Sequence, residues 1–253
     1  MITCGYIFAN LISGSVTITP STEDAVYTKA SLYDKRINKP FRFTAKSGQT
    51  LTFDFFAAKT VDLLVILKHN FTSTVSLTLK WSADGSFTDG GLATVAWAAT
   101  NIYKRLTPSQ SYRYWRLELD DATNPRNPEM GEMYIGVAVE FARAYAWGSE
   151  EGRVYSIDQH TTEFGTKIVY PKYNVRTRRL AFSPMSESAK DAIATLYNTV
   201  SGSLFPFVLF PDLATTDCIF GRLMNAYGSV TSPEPYYSSA LEFVSESPGK
   251  AVT

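Results

Sequence analysis

Residues 60–85, TVDLLVILKHNFTSTVSLTLKWSADG, limit the fold more than any other stretch of the chain. From Val61 to Leu67 every residue but Asp62 is apolar, and β-branched residues are mixed in. That is the pattern of a strand covered on both faces. His69 and Asn70 end the run, and Thr72-Ser73-Thr74 makes a polar turn. Val75, Leu77 and Leu79 then alternate with Ser76, Thr78 and Lys80, the period-2 mark of a strand buried on one side only. Trp81 closes this second strand, and Ser82-Ala83-Asp84-Gly85 turns the chain. The two strands are expected to pair and to form the centre of an antiparallel sandwich.

The same alternation recurs around them. Val16 and Ile18 alternate with Ser15, Thr17 and Thr19 before Pro20. Leu32-Tyr33-Asp34 reads as a small plug over the core, and Phe41 to Thr44 as a strand entered through Pro40. Gln49 to Phe56 places Leu51, Phe53 and Phe55 on one face, and Tyr112 to Leu119 places Trp115, Leu117 and Leu119 likewise. A polar loop with Pro125 and Pro128 precedes a strand over Met133 to Phe141. Small and charged residues at 142–153 mark a boundary, so the reading gives one domain over 1–145 and a second over 146–253. In the second, Val154–Asp158, Phe164–Lys172, Tyr173–Phe182, Leu204–Phe210, Cys218–Asn225 and Tyr237–Glu246 read as strands, and the last seven residues as a frayed tail. A single helix is expected over about 184–201. Pro184 would sit in its first turn, Ala189, Ala192, Ile193, Leu196 and Val200 on one face, and Gly202 at the cap. The class is mainly β: an amino-terminal antiparallel sandwich plus a carboxyl-terminal β domain with one α-helix.

Composition removes several functions. Hydrophobic residues are 45% of 253, enough for packed cores. The formal net charge is +0, which disfavours direct nucleic-acid binding and leaves little self-repulsion against association. Cys4 and Cys218 are too few and too isolated for a disulfide framework or a zinc site, and read as reduced, partly buried thiols. No secretory signal or membrane-length apolar run is seen, so synthesis and folding in the cytosol are expected. Phosphate-binding glycine loops are absent. The two histidines, His69 at a strand end and His160 in a loop-like stretch, have no nucleophile elbow to serve and read as structural or solvated. Asp120-Asp121 and Glu150-Glu151 are carboxylate pairs in turn-like segments. The first pair could hide a hydrolase's acids, and with Asn124 it could offer oxygens to a calcium ion, but solvated turn acids fit both pairs better. Arg176, Arg178 and Arg179 in YNVRTRRLAF form a basic row, either an interface meeting carboxylates of a neighbouring copy or simple edge protection. Trp97, Trp147, Tyr236 and Tyr237 are aromatics for sugar stacking, for an interface, or for the core.

A resemblance adds to this. ANLISGSVTITPS, KASLYDKRINKPFRFT, VDLLVILKHNFTSTVSLTLKWSADGSF, YRYWRLELDD and MYIGVAVEF together resemble the galactose-binding-like (discoidin-type) jelly roll found in structural proteins of tailed bacteriophages. RTRRLAFSPMSESAKDAIATLYNTVSGSLFPFVLFPD, with FGRL and SALEFVSE, is similar to the tail-tube-type β domain of phage tail and baseplate components. The resemblance implies a non-enzymatic virion subunit in the tail or tail tip, made in the host cytoplasm, that builds rings from copies of itself. Its other partners would be further tail proteins and host glycans. No cofactor, metal or sugar-binding residue carries over. The alternative is a carbohydrate-binding module that contacts host surface glycans.

Overall fold

The computed structural model of the chain describes residues 4–141, 145, 149–215, 217–224, 228–231 and 236–246. In chain order the strands are β1 (Gly5–Ile7), β2 (Thr17–Pro20), β3 (Phe41–Arg42), β4 (Gln49–His69), β5 (Ser76–Ser82), β6 (Gly91–Thr94), β7 (Asn101–Asp120), β8 (Glu129–Gly136) and β9 (Val139–Glu140). They continue as β10 (Glu150–Thr161), β11 (Lys167–Met185), helix α1 (Glu187–Thr199), β12 (Phe207–Phe210), β13 (Ile219–Leu223), β14 (Ser229–Thr231) and β15 (Tyr237–Ser245). The expected mainly-β class with a single α-helix holds among the described residues. The strands form two units. One comprises Ile7–Val139 and Asp212–Cys218, the other the described residues of 1–6, 140–211 and 219–253.

The first unit is a single sheet in the order β3-β8-β4-β7-β5-β6, with β2 added beside β4. Its two long strands each serve both layers of a sandwich. The pairing of β4 with β7 shifts register between Asp54 and Lys59 and again between Val61 and Leu63. The residues at this corner, Phe56 to Thr60, are exposed, while the runs on either side are buried. A strand that changes layer through a bulge is the known way to turn a corner in such packing. Leu51 and Phe53 from one half of β4, Leu64 and Ile66 from the other, and Trp115, Leu117 and Ile102 from β7 share one core. Leu32 of a 3-10 turn, Lys29–Leu32, plugs that core and is fully buried.

Two sequence expectations change here. The strand 61–67 is covered on both faces as read, with every residue buried. It does not pair with the strand that follows it, however; β7 lies between β4 and β5. The separate strands expected at 49–56 and 61–67 are halves of one 21-residue strand. The second face of 63–67 is explained by the segment 212–218. Tyr103, beside Val65 in register, donates its hydroxyl to Leu213 O (3.0 Å), and Asn101 Nδ2, beside Leu67, donates to Cys218 O (3.2 Å).

The second unit is a sheet in the order β10-β11-β15-β13-β12-β1-β9, with β14 against β15. Its core is aromatic. Tyr6 lies 5.3 Å from Phe141 and 6.0 Å from Phe207, and Phe207 lies 5.0 Å from Phe243. This cluster is why residues 4–6 belong with the carboxyl-terminal part, across the expected boundary at 145/146. The segment expected as a linker falls partly outside the described residues, as do Trp147 and the tail from 247. Helix α1 begins later than its sequence suggests. Strand β11 runs through Pro184 to Met185, and Ser186 is the N-cap, its Oγ accepting from Ala189 N–H (3.3 Å). At the other end Gly202 N–H donates to Tyr197 O (2.8 Å) and Ser201 N–H to Asn198 O (3.1 Å), a Schellman pair. Its first left-handed residue is Ser201, one position before the expected glycine. Ala189, Ile193 and Leu196 form its buried stripe, whereas Ala192 is exposed.

Candidate binding surfaces

Strands β10 and β11 form a long antiparallel ribbon. Their pairing runs from Glu150↔Arg179 to Thr161↔Lys167, with one bulge at Ser156/Ile157. The turn is closed by Thr162 N–H and Thr166 O at 2.9 Å and by Gly165 N–H on Thr162 O at 2.9 Å. Gly165 takes φ +77°, a left-handed value that suits glycine. At the root β11 is anchored, with Leu180 and Phe182 buried. Towards the turn apolar side chains are exposed on both faces. Val154, Ile168 and Tyr170 stand out on one side, Tyr155 and Val169 on the other. Phe164, in the turn, is 94% exposed and Tyr170 59%. Among the described residues strand β10 is also the edge of its sheet, with no further strand beside it.

The basic row lies at the root of this ribbon. Arg178 faces Glu151 directly across the ladder, and Arg176 sits diagonally from it. Arg176 Nη2 donates to Glu151 Oε1 (2.8 Å), and Arg178 Nη1 pairs with Glu151 Oε2. Arg179 points to the opposite face, 3.9 Å from Glu150 and 3.8 Å from Glu242. The carboxylates these arginines meet are therefore in their own chain. Glu150 and Glu151 are not a catalytic couple, because adjacent strand residues face opposite sides. Sequence alone shows the arginines but not the partners: the hairpin brings back Glu150 and Glu151 from 25 or more residues upstream, and β15 brings Glu242 from downstream.

The outer face of the sandwich carries a second surface. On β4, β7 and β5 the residues pointing away from the core are Thr50, Thr52 and Asp54, then Tyr114, Arg116 and Glu118, then Thr78 and Lys80. Lys80 Nζ lies 2.9 Å from Glu118 Oε2, and Arg113 reaches Asp54 with Nε at 2.8 Å and Nη2 at 2.9 Å. That arginine fork holds the Asp54 carboxyl below the usual carboxylate range. The loop 82–90 folds over this face. Gly85, at φ +84°, approaches the Tyr114 ring so closely that a Cβ there would stand 3.4 Å from it. Phe87, at φ +61°, holds its ring 3.9 Å from the Arg116 guanidinium carbon. Backbone N–H donation from Ser86 and the hydroxyls around it pull the Asp84 carboxyl down to about 2, which keeps the loop's anchor ionised.

Of the remaining polar groups singled out from sequence, His69 and Asp121 are structural. His69 is held by Ala98 O on Nε2 (2.9 Å) and by Phe71 N–H on Nδ1 (3.1 Å), which fixes the neutral tautomer with hydrogen on Nε2. Burial lowers it to about 4. His160 lies in strand β10 and not in a loop. Asp121 is buried and accepts from Thr72 N–H (3.1 Å), Thr72 Oγ1 and Asn124 Nδ2 (2.8 Å). Its oxygens are thus engaged by donors, while neighbouring Asp120 is exposed. Among the described residues no three or more His, Cys, Asp or Glu side chains gather as a metal site would need. One group the sequence reading missed is Glu132 of β8. It is 1% exposed, and among the described residues its carboxyl oxygens meet no well-formed hydrogen bond, the backbone and ammonium of Lys35 giving only partial support. Desolvation, with Asp34 nearby, pushes it up to about 9. Cys4 and Cys218 are both buried, where partial burial was expected.

No protein-family model and no curated protein matches this sequence. Solved structures do. CpGH89CBM32-6 from Clostridium perfringens is 16% identical, with half of this chain (50%) aligned to 98% of that one at a TM-score of 0.40. A Streptococcus pneumoniae fucose binding module is 12% identical over 51% of this chain and 94% of its own, at 0.41. The lectin domain of lectinolysin, complexed with Lewis B antigen, is 9% identical over 50% and 95%, at 0.41. None of the three bears a tail or baseplate name.

Proposed function

We propose that this chain works by binding and not by bond-making, its ribbon taking a protein partner and its sandwich meeting glycans. The bare ribbon carries the first half. A two-stranded ribbon is marginal by itself in water, and an edge strand with large apolar side chains on both faces invites pairing. Phe164, the most exposed of them, sits in its turn. Together with zero net charge, this favours association of copies or docking on another structural protein. The resemblance of RTRRLAFSPMSESAKDAIATLYNTVSG to tail-tube-type domains supports the finer form of this reading: a ring-forming subunit of a phage tail or tail tip. The test is light scattering and negative-stain imaging of the purified protein across a concentration series. Closed rings that dissolve in a Phe164→Ser, Tyr170→Ser variant with unchanged far-UV dichroism are expected. A strict monomer at millimolar concentration, with no density in particles, removes the ring.

The second half rests on the outer face of the sandwich, where guanidinium, ammonium, carboxylate and hydroxyl groups alternate beside Phe87 and Tyr114. Planar polar groups next to aromatic rings suit sugars, which offer hydroxyls at their edges and C–H faces between. A glycan array probed with the whole chain checks it, and silence across neutral and charged glycans retires it. No helix among the described residues is long and apolar enough to cross a membrane.

A further inference from the structure

The outer face of the sandwich is not uniformly flat. A groove of about 350 Å³ lies along its β4–β7–β5 strip, lined among others by Gln49, Thr50, Ser76, Thr78, Glu118 and Asp120. Glu118 is its centre, with Thr50 opposite on one side and Thr78 on the other; Asp120 stands opposite Ser76. These groups differ from their neighbours in how they are engaged. Gln49 is used up: its Oε1 accepts from Ser21 Oγ (2.9 Å) and Thr22 Oγ1 (2.5 Å), and its Nε2 donates to Ser47 O (2.8 Å). Among the described residues, no side-chain hydrogen bond engages Thr50 Oγ1, Ser76 Oγ, Thr78 Oγ1 or the Asp120 carboxylate. Glu118 is engaged through Oε2 only, by Lys80.

We infer that this groove is a saccharide subsite, taking an uncharged oligosaccharide laid along β7 from Asp120 towards Phe87. The charge pattern selects the ligand. The groove itself carries Glu118 and Asp120, which repel a polyanion, while Lys80 on Glu118 and Arg116 further along the strip oppose a polycation. Unengaged hydroxyls and carboxylates over a small, partly apolar floor suit a ligand that offers hydroxyl groups at its edges and C–H faces between them. The strip from Asp120 to Tyr114 spans six residues of strand, about 20 Å, which is the reach of a chain of several sugar rings. Arg116 closes the far end. It is fixed by Thr52 Oγ1, to which Nε donates (3.1 Å), and its plane is covered by Phe87. The left-handed backbone at Phe87 is an expense the loop carries to keep an aromatic ring at that place.

This inference rests on the glycan half of the proposed function, and the experiment separates the two. The whole chain is titrated with cellotetraose, xylotetraose, mannotetraose and tetraacetylchitotetraose, followed by calorimetry and by amide NMR shifts. Heparin and chitosan oligomers serve as charged controls. The expected result is millimolar to micromolar binding of at least one neutral tetrasaccharide, shifts centred on Thr50, Thr78 and Glu118, and at least tenfold loss in Glu118→Ala, Thr78→Val. Trp97→Ala, away from the groove, should bind as the parent does. The milder Thr50→Val variant guards against misfolding and should lose several-fold. If the parent binds but the groove variants bind equally well, or Trp97→Ala alone abolishes binding, the groove is wrong and the glycan reading stands. If heparin or chitosan is the better ligand, the charge argument is wrong and the inference falls. If the parent binds none of the panel, both fall.

Discussion

The segment 61–67 of β4 and the ribbon of β10 and β11 both carry large apolar side chains, in an almost unbroken run in the first and set among charged residues in the second, and their surroundings are opposite. The first is buried at every position, whereas the second exposes Val154, Tyr155, Val169 and Tyr170 on both sides. The difference is in what the chain supplies around them. Around β4 stand β7, β8 and the 212–218 segment; the described residues of the other unit leave the ribbon, beyond its root, exposed on both faces. The apolar content of a strand therefore reports that it needs cover, not that its own chain provides it.

The contrast can be broken by substitution. The largest effect is expected for Leu64→Ala. It removes a fully buried side chain from the shared core and should cost about 3–4 kcal/mol in urea unfolding. A loss under about 1 kcal/mol would mean that the two-sided burial of β4 contributes far less than its geometry suggests. Next comes pH. Glu132 pairs with Leu67 in register and is pushed up to about 9. In the unfolded chain it ionises near the usual glutamate value, so the unfolded state sheds a proton that the native state keeps. Stability should then decline as pH rises from about 5 to about 9, by a few kcal/mol in all. Glu132→Gln should flatten that slope and raise the melting temperature at pH 8. An unchanged slope would show that the carboxyl finds water or a counter-charge. A smaller effect of opposite sign belongs to His69, lowered to about 4 by burial. Here stability is present above the ordinary histidine range and lost as pH falls through about 6 towards 4, on the order of 1–3 kcal/mol. His69→Gln should remove most of that acid-side loss. The smallest effect should come from the ribbon: Val169→Ser with Tyr170→Ser is expected to shift monomer stability by less than about 0.5 kcal/mol. Should that pair cost as much as Leu64→Ala in dilute solution, the ribbon is not bare and the comparison fails.

Much of the fold could be read from residue order because burial on one face writes a period of two. Leu51, Phe53, Trp115, Leu117 and Leu119 were legible for that reason, and all are core residues. Three things were not. The partner of β4 was hidden because the first half of β7, Asn101 to Ser111, carries Thr107, Pro108 and Ser109 at the corner and so loses its alternation. The start of α1 was hidden because Pro184 and Ser186 are both acceptable openers, and only the pairing of Met185 with Tyr237 decides between them. The candidate surfaces were hidden most completely. An exposed tyrosine on a ribbon and a buried one in a sheet have the same letter. The arginine row was visible, but its partners Glu151 and Glu242 are set by strand register, which no local pattern reports.

The chain leaves the carboxyl-terminal unit after β1 and re-enters it at β9, and these two strands are neighbours in one sheet. Most of the sandwich is thus one long insertion whose two ends meet on adjacent strands, and its one other piece, 212–218, is lent by the host between β12 and β13. Lengthening the loops of the insertion leaves the host sheet threaded as it is, whereas exchanging it whole means exchanging both pieces together.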